Sequence, residues 1–464
     1  MEISQLYELF LQHPVITTDT RDCPAGSIFF ALKGETFDGN AFAAKALEAG
    51  CAVAVVDNPD VAAADTRFVL VDDVLATLQA LAAYHRRVVG TPIVQITGTN
   101  GKTTTKELTA AVLAEQYRVL FTQGNFNNHI GVPKTLLRLT ADDDIAVIET
   151  GANHPGEIAL LSRIVDADCG LITNVGKAHL EGFGSFDGVI RTKSELYDYL
   201  RSKAVAAAEA EANPDEEEVS AAAPFVFLHA DNEWLPARAE GLEAVSYGSV
   251  GKGYDVEGEV IDCTPFLRLR WRAKTDADSS EYGAWQTVQT QLIGSYNIDN
   301  VLAAAAVGIH FGVAPAAVSH ALTEYRPSNS RSEFRRTEKN RLIVDAYNAN
   351  LSSMHAALEN FRLIADPHKM MILGDMRELG TASAAAHQEI ADLAATTGCE
   401  ALWFVGENFS AVRPAAAAEP VPEVRHFANV DAVKAAIVEA PLADRLILIK
   451  GSNGTRLFQL PELL

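Results

Sequence analysis

The chain has 464 residues, 48% hydrophobic and 21% charged, which is typical of a globular protein, and at ~150 residues per domain it should form about three domains. A formal net charge of −23 disfavours a nucleic-acid partner, although backbone N–H groups can still bind a small phosphate locally. No apolar stretch approaches the ~20 residues that span a bilayer, and no signal peptide is visible. The five cysteines are scattered singly, which favours a reducing compartment over a disulfide framework. Together these features predict a cytoplasmic protein without membrane insertion.

Residues 1–88 are predicted to form a small α/β unit. Short apolar runs at 27–32 and 52–56 are typical of buried strands, and the pattern between them at 42–47 is helical. A longer helical pattern over residues 74–89 closes this unit.

A phosphate-binding loop follows the next predicted strand. The apolar run 93–96 leads into TGTNGKT (97–103), and a helical pattern comes directly after it. Glycines let backbone N–H groups approach phosphate oxygens, and the helix N-terminus adds a positive dipole. We therefore expect Lys102 to reach the phosphates and the Thr103 hydroxyl to ligate Mg²⁺.

Residues 89–325 are predicted to form a central unit around this loop. Further strands at 145–148 and 171–174 alternate with helical patterns, which indicates a mostly parallel sheet with helices on both faces. Residues 255–291 alternate in a way that favours antiparallel strands. The acidic stretch 204–224 is either a helix with a frayed acidic loop or a disordered insertion.

Residues 326–464 are predicted to form a doubly wound α/β unit without a phosphate loop of its own. The predicted strands are 342–344, 370–373, 402–405 and 446–449. The predicted helices are 354–364, 383–395 and 430–440.

Three side chains outside the loop are candidates for chemistry. Glu149 follows a predicted strand beside the loop, where a carboxylate can hold Mg²⁺, although an acid there is by itself more often a solvated turn residue. His179 also follows a strand and is either a metal ligand or an ordinary loop histidine. Lys193, taken alone, looks like a solvated helix lysine.

Together these stretches resemble the Mur ligases, which form amide bonds at the expense of ATP in peptidoglycan precursor synthesis. The resemblance covers nearly the whole chain, and the loop TGTNGKT is shared with folylpolyglutamate synthases. The more specific motifs are GNFNN (124–128), ETGANHPGEI (149–158), DAYNAN (345–350) and LGDMRELG (373–380). These four resemble the dipeptide-adding branch of the family.

The resemblance implies a three-domain ligase, expected to be a monomer, that adds D-alanyl-D-alanine to UDP-N-acetylmuramoyl-tripeptide through an acyl phosphate. It implies ATP and two Mg²⁺ ions, and it leaves open whether the third residue of the tripeptide is diaminopimelate or lysine. Its expected catalytic residues are Lys102, His179, Lys193 and Arg331, with Lys193 carbamylated. Nearby alternatives to Arg331 are Arg326, Arg335 and Arg336. Its expected metal ligands are Thr103, Glu149 and His179.

The resemblance also implies two sets of binding residues. The ATP set is Gly98, Thr99, Asn100, Gly101, Lys102, Thr103, Thr104, Asn297, Asn300, Arg331 and Asp345. The set for the other substrates is Thr20, Arg21, Lys33, Asp38, Asn125, Asn127, Asn128, Tyr347 and Asn348.

Some positions depart from the family pattern. Thr20 replaces the usual serine, Asn40 stands where histidine is usual and receives no role, and Leu351 replaces a proline, which affects the expected shape of its loop. Three alternatives stay open: a sibling ligase that adds a diamino acid or glutamate, a folylpolyglutamate synthase, which would lack the first unit, and a non-catalytic nucleotide-binding protein.

Overall fold

The computed structural model describes residues 1–178, 180–212, 223–276, 278–327, 331–415 and 422–464. These residues form three sheets in succession along the chain, each covered by helices. Among the described residues, no helix combines the length and the apolar character needed to cross a bilayer.

The N-terminal unit is built on a four-stranded parallel sheet of order β1-β2-β3-β4. Its elements are α1 (Ile3–Gln12), β1 (Ile16–Thr17), β2 (Ile28–Phe30), α2 (Ala43–Glu48), β3 (Val53–Val56), α3 (Pro59–Ala62), β4 (Phe68–Leu70) and α4 (Val74–Val89). Asp73 caps the start of α4 by accepting a hydrogen bond from the Ala76 N–H, and Gly90 ends the helix in the left-handed conformation.

The central unit contains a nine-stranded sheet. Its elements are β5 (Ile93–Thr97), α5 (Lys102–Leu113), β6 (Val119–Phe121), α6 (Gly131–Leu136), β7 (Ile145–Glu149), α7 (Glu157–Val165), β8 (Cys169–Ile172), α8 (Leu180–Phe183), α9 (Phe186–Ala212), β9 (Phe225–His229), α10 (Leu235–Ala239), β10 (Glu243–Ser249), β11 (Val256–Cys263), β12 (Phe266–Ala273), β13 (Gln286–Ile293), α11 (Ile298–His310) and α12 (Pro315–Glu324). The strand order is β13-β12-β11-β10-β9-β8-β5-β7-β6, and all neighbours are parallel except that β12 runs antiparallel to both β11 and β13.

Both faces of this sheet are buried. On β5, Val94 and Ile96 join the core under α5, α11 and α12, whereas Ile93 joins the core on the opposite face. Successive side chains of a strand point to opposite faces, so a continuous apolar run is what a doubly covered strand requires.

The C-terminal unit has a six-stranded sheet of order β14-β15-β19-β16-β17-β18, in which only β14 is antiparallel. Its elements are β14 (Glu333–Arg336), β15 (Arg341–Asp345), α13 (Leu351–Leu363), β16 (Lys369–Gly374), α14 (Ser383–Ala395), β17 (Ala401–Val405), α15 (Glu407–Ser410), β18 (Glu423–Phe427), α16 (Val430–Glu439) and β19 (Leu446–Lys450). Separate apolar clusters cover the two faces of this sheet.

Helix α4 joins the N-terminal unit to the central unit through one continuous core. Leu78 and Leu81 belong to the same buried cluster as Phe10 of α1 and as Val132 and Leu136 of α6. The N-terminal unit is therefore attached to the central unit by a shared apolar core as well as by the covalent connection after α4.

The predicted fold class is confirmed, with small shifts at the ends of elements. The strand predicted at 171–174 is Cys169–Ile172, and the strand predicted at 145–148 extends to include Glu149. In the acidic stretch, helix α9 continues to Ala212, and residues 213–222 lie outside the described part of the chain.

Candidate functional site

A cavity of about 780 Å³ lies between the central and C-terminal units. The loop between β5 and α5 forms one wall, and residues after β15 and β19 form the opposite wall. It therefore sits at the carboxyl ends of parallel strands, where ligands of open α/β sheets bind.

Two glycines of the loop occupy positions that a side chain would block. Gly98 has φ +142°, and an added Cβ would lie 2.1 Å from Thr173 Oγ1. Gly101 has φ +78°, and its Cβ would lie 2.4 Å from Asn300 Oδ1. The close approach of backbone to neighbouring residues explains why this turn requires glycine.

Lys102 is held by the loop itself. Its Nζ donates hydrogen bonds to the carbonyl oxygens of Gly98 at 2.8 Å and Thr99 at 2.9 Å. Burial lowers the pKa of Lys102 to about 8, with Glu149 opposing and Arg331 reinforcing the shift. The lysine is thus a positioned, poorly solvated cation at the cavity wall.

Glu149 is a buried carboxylate and not a solvated turn residue, with 1% of its surface exposed. One oxygen accepts a hydrogen bond from Thr103 Oγ1 at 2.9 Å, and the other accepts one from Asn127 Nδ2 at 2.8 Å. Both of these hydrogen bonds are to uncharged groups, and among the described residues no group of three or more His, Cys, Asp or Glu side chains could hold a metal ion. The site offers one carboxylate and one hydroxyl to a cation.

Lys193 is buried as well, with 2% of its surface exposed, so the expectation of a solvated helix lysine is wrong. Its Nζ donates to the Ala152 carbonyl oxygen at 3.3 Å and lies 5.3 Å from the centre of the Phe183 ring. Burial, reinforced by the charge of Lys102, places the pKa of Lys193 well below its ordinary value. The side chain of this α9 lysine is thus covered by the loop after β7 and by α8.

Asn297 and Asn300 form a hydrogen-bonded chain at the start of α11. Asn297 donates to the Ile293 carbonyl oxygen at 2.8 Å, and Asn300 donates to Asn297 Oδ1 at 2.8 Å. Asn300 Oδ1 accepts from Thr105 Oγ1 at 3.0 Å, which links this chain to α5 behind the phosphate loop.

The C-terminal unit contributes a second charged wall. Lys450 Nζ and Asp345 Oδ2 are 2.5 Å apart, on residues that are paired in register between β15 and β19. The Arg331 guanidinium lies 3.9 Å from the centre of the Tyr347 ring. Arg331 lines the cavity, and its Nε is a buried donor without an acceptor among the described residues.

The loop after β15 contacts the phosphate loop directly. Asn350 Nδ2 donates to Asn100 Oδ1 at 2.8 Å, and the Lys177 N–H donates to Ser352 Oγ at 3.3 Å. Asn350 also caps α13, with Oδ1 accepting from the Ser353 N–H at 2.9 Å. This cap fixes the loop although Leu351 replaces the proline of the family pattern.

The predicted N-terminal residues lie outside this cavity. Arg21 pairs with Asp19 at 2.6 Å at the surface, and the exposed Lys33 pairs with the largely buried Asp57 at 2.9 Å. Asn40, which received no role, is buried and donates from Nδ2 to Asp38 and to Asp57, at 2.7 Å each. Thr20 is half-buried.

The structure brings most of the other predicted residues to one cavity. Those lining it are Thr99, Asn100, Gly101, Lys102, Thr104, Asn125, Asn127, Asn128, Glu149, Asn297, Asn300, Arg331, Asp345, Tyr347 and Asn348. Gly98, Thr103 and Lys193 stand directly behind these residues, whereas His179 lies outside the described residues.

Lys450 also lines the cavity and was not predicted. Lys450 is the charged last residue of a buried apolar strand, as Glu149 is, and this pattern in the sequence could have identified it as a site residue.

Models of three families match the chain: the Mur ligase family catalytic domain at 14–86, the Mur ligase middle domain at 96–308, and the Mur ligase glutamate ligase domain at 330–453. The UDP-N-acetylmuramoyl-tripeptide–D-alanyl-D-alanine ligase of Bacillus subtilis is 32% identical, over 97% of this chain and 93% of the relative. The ligase of the same name from Escherichia coli is 33% identical, over 94% and 90%.

Solved structures agree with these relatives. A crystal structure of MurF from Acinetobacter baumannii covers 99% of this chain and 97% of its own, with a TM-score of 0.81 and 28% identity. A MurF ligase from Thermotoga maritima in complex with ADP has the same fold, with a TM-score of 0.79 and 22% identity over 98% of this chain and 97% of its own.

Proposed function

Because the chain belongs to the Mur ligase family, we propose that it joins D-alanyl-D-alanine to UDP-N-acetylmuramoyl-tripeptide in an ATP-dependent reaction of peptidoglycan precursor synthesis. The observation that carries this proposal is the single cavity in which the loop lysine, Glu149 and the charged wall of the C-terminal unit face one another. The relatives that match nearly the whole chain are ligases of this name.

The ATP phosphates bind along the loop Gly98–Thr104, with Lys102 and Arg331 as the cations that approach them. Both side chains are available to an anion. Among the described residues, Lys102 Nζ donates hydrogen bonds only to backbone carbonyl oxygens, and Arg331 Nε has no acceptor. Asn297 and Asn300 contact adenine, and Asp345 accepts hydrogen bonds from ribose.

The residues that the structure describes at this site suit a magnesium ion. Mg²⁺ prefers oxygen ligands and is usually held by one or two carboxylates together with substrate phosphates and water. Glu149 and Thr103 supply a buried carboxylate and a hydroxyl 2.9 Å apart, without a competing ion pair within salt-bridge distance among the described residues. We assign a first ion to these two residues and a second to the region of His179 and Lys193. When bound, the ions neutralise charge on phosphate oxygens.

The reaction needs ATP because a carboxylate is a poor electrophile. The terminal carboxylate of the tripeptide attacks the γ-phosphorus and displaces ADP, which gives an acyl phosphate. The amine of D-alanyl-D-alanine then attacks the acyl carbon, and phosphate leaves. Lys102 and Arg331 stabilise charge on the phosphoryl oxygens, and domain closure excludes water that would hydrolyse the intermediate.

Lys193 is the proposed carbamate. Carbon dioxide adds only to the neutral amine, and the lowered pKa of Lys193 favours that form. The resulting carbamate is an anion, and its negative charge offsets the positive charges of Lys102 and of a nearby cation.

The three units divide the substrates. Residues 1–88 bind the UDP end through Thr20, Arg21, Lys33 and Asp38; residues 89–325 bind the ATP phosphates. Asn125, Asn127 and Asn128 of this central unit face the acceptor peptide. Residues 326–464 bind adenosine and the dipeptide, the latter beside Tyr347 and Asn348. We propose that the protein works as a cytoplasmic monomer.

Phosphate release, with each substrate omitted in turn, tests the proposal. Release should require ATP, Mg²⁺, the UDP-tripeptide and D-alanyl-D-alanine together, and the assay should be run with both diaminopimelate and lysine tripeptides. Equal release without the dipeptide contradicts the ligase function. Turnover with a diamino acid or glutamate in its place would instead identify a sibling ligase.

A further inference from the structure

Ser332, which directly follows Arg331 in the chain, has an unusual backbone conformation. Its φ is +49°, in the left-handed region that residues other than glycine rarely adopt. Such a conformation persists only where surrounding contacts hold it, and it is concentrated at functional sites. Ser332 also lines the same cavity as Arg331. The contacts that hold Ser332 therefore bear on the direction in which Arg331 points.

The hydroxyl of Tyr296 is a hydrogen-bond partner of Ser332. Tyr296 Oη and Ser332 Oγ are 2.9 Å apart. Tyr296 lies in the turn between β13 and α11 of the central unit, whereas Ser332 immediately precedes β14 of the C-terminal unit. This hydrogen bond therefore joins the two units close to the point where the chain passes from one to the other.

The Tyr296 ring is itself held in place. Gly294 has φ +100°, and an added Cβ would lie 2.2 Å from Tyr296 Cε1, so the ring covers this glycine closely. Burial raises the pKa of Tyr296, and the negative charge of Asp345 reinforces the shift. The phenol therefore keeps its proton near neutral pH, and its hydroxyl is able to donate to Ser332.

Apolar packing brings the two units together at this junction but does not select a backbone conformation. The rings of Phe266 in β12 and Phe334 in β14 meet edge to face, with 5.5 Å between their centres. Ile293 of β13 belongs to the apolar cluster on one face of the C-terminal sheet. Burial of apolar surface is not directional, whereas a hydrogen bond prefers a narrow range of angles. The bond from Tyr296 thus adds the directional contact that the turn at Ser332 requires.

Arg331 has a second anchor at the far end of its side chain, where the guanidinium lies over the Tyr347 ring. A long side chain with several rotatable bonds loses much conformational entropy when it is fixed in one orientation. A cation that is already oriented when the ligand arrives does not have to reorganise during the reaction. Arg331 is therefore held both at its guanidinium and at the backbone of the residue that follows it.

We propose that Tyr296 is a positioning residue for Arg331: its hydroxyl holds Ser332 in the left-handed conformation and thereby directs Arg331 into the cavity. This inference rests on the proposed function, in which Arg331 stabilises charge on the phosphoryl oxygens. Loss of the Tyr296 hydroxyl should therefore slow the chemical step and should not weaken the binding of ATP.

Tyr296→Phe removes only this hydroxyl, and its kinetics in dipeptide-dependent phosphate release test the proposal. The kcat should fall about 3- to 10-fold, as expected for one lost hydrogen bond, while KM for ATP stays unchanged. Ser332→Ala removes the other partner and should have the same effect. The double variant Y296F/S332A should be no slower than either single variant, because both substitutions remove the same interaction.

The decisive comparison uses Arg331→Ala. If Tyr296 acts through Arg331, adding Y296F to R331A should leave the residual kcat of R331A unchanged. A general structural role, or direct contact of Tyr296 with the nucleotide, would lower the rate by the same factor in both backgrounds. Tyr282→Phe is the matched control, because the Tyr282 hydroxyl donates to the Tyr254 carbonyl oxygen at 2.7 Å but does not line the cavity. Its kcat should match that of wild type.

Three results overturn the inference: an unchanged kcat in Y296F, a rise in KM for ATP in place of a lower kcat, or an equal loss of rate in the R331A background. Each of them leaves wild-type turnover, and with it the proposed function, intact. Wild type without any dipeptide-dependent release would instead contradict the proposed function, and the inference with it.

Discussion

The phosphate loop and the N-terminal unit hold their charged residues in opposite ways. Lys102, Glu149 and Lys193 have backbone or uncharged side-chain hydrogen-bond partners, and none of them has an ion pair within salt-bridge distance among the described residues. The exposed side chains of Arg21 and Lys33 instead pair with aspartates, at 2.6 Å and 2.9 Å.

This difference separates two kinds of binding site. Poorly solvated groups with neutral partners are preorganised for charges that arrive with a ligand, so their loss should mainly reduce the rate of chemistry. Exposed pairs must exchange one partner for another when a ligand binds, and the net gain is small. We therefore expect changes in the first region to lower kcat and changes in the second to raise KM.

Lys102→Met should have the largest effect. The substitution keeps the apolar stem but removes the cation that faces the phosphates, so kcat should fall by about 10²–10³-fold. Initial rates of phosphate release at saturating substrates measure it. Lys369→Met is the control, because Lys369 also donates to backbone carbonyl oxygens in a buried site but does not line the cavity. It should lower thermal stability and leave kcat of the folded enzyme unchanged. A loss below 10-fold in K102M would contradict the preorganised site.

The same lysine predicts a pH dependence of ATP binding. The pKa of Lys102 is lowered to about 8, so the free protein loses this charge as the pH rises through that value, and ATP affinity should weaken there. Glu149 raises the pKa of Lys102, so in Glu149→Gln the decrease in ATP affinity should begin at lower pH. Calorimetric titration of ATP across the pH range measures both. If ATP affinity falls at the same pH in E149Q as in wild type, Glu149 does not influence the pKa of Lys102.

Lys193→Met should lower kcat by about 10- to 100-fold, as expected for a group that supports a metal site from behind. If the lysine acts as a carbamate, wild-type activity should also fall in buffers depleted of carbon dioxide and recover with bicarbonate. K193M should respond to neither treatment. A wild type indifferent to carbon dioxide would exclude the carbamate.

Site residues whose positions follow from the neighbouring residues in the sequence could be predicted. The loop glycines, Lys102 and Thr103 stand between a strand and a helix, and Glu149 ends a strand, so their positions follow from local pattern. The burial of Lys193 could not be predicted in this way, because its side chain contacts Ala152 and Phe183, which belong to other segments of the chain.

Long-range pairings were missed for the same reason. Lys450 faces Asp345 across neighbouring strands that are 105 residues apart in the sequence. Asn40 reaches Asp57 through packing within the N-terminal unit. The positions of Arg21 and Lys33 were predicted from family resemblance alone, and their pairing with aspartates was not foreseen.

Asn40→Ala tests whether the N-terminal unit depends on buried support. Asp38 and Asp57 would lose their shared donor, which should cost about 1–3 kcal/mol of unfolding free energy and raise KM for the UDP substrate. Denaturant unfolding and substrate kinetics measure the two effects. Asn58→Ala, which removes only the cap of the short helix α3, is the control and should leave KM unchanged. Unaltered stability in N40A would contradict the role of this buried amide.

Arg21→Ala should have the smallest effect, and it sharpens the contrast most. Hydrogen bonds from Arg21 lower the pKa of Asp19 to about 2, but 88% of the Arg21 side chain is exposed, so the melting temperature should not change. KM for the UDP substrate should rise about 5-fold, since a cation for its phosphates is lost. Arg67 forms the same kind of pair with Asp65, also at 2.6 Å, outside the predicted binding segments. Arg67→Ala should therefore leave both quantities unchanged, and equal KM values in R21A and R67A would remove Arg21 from the binding site.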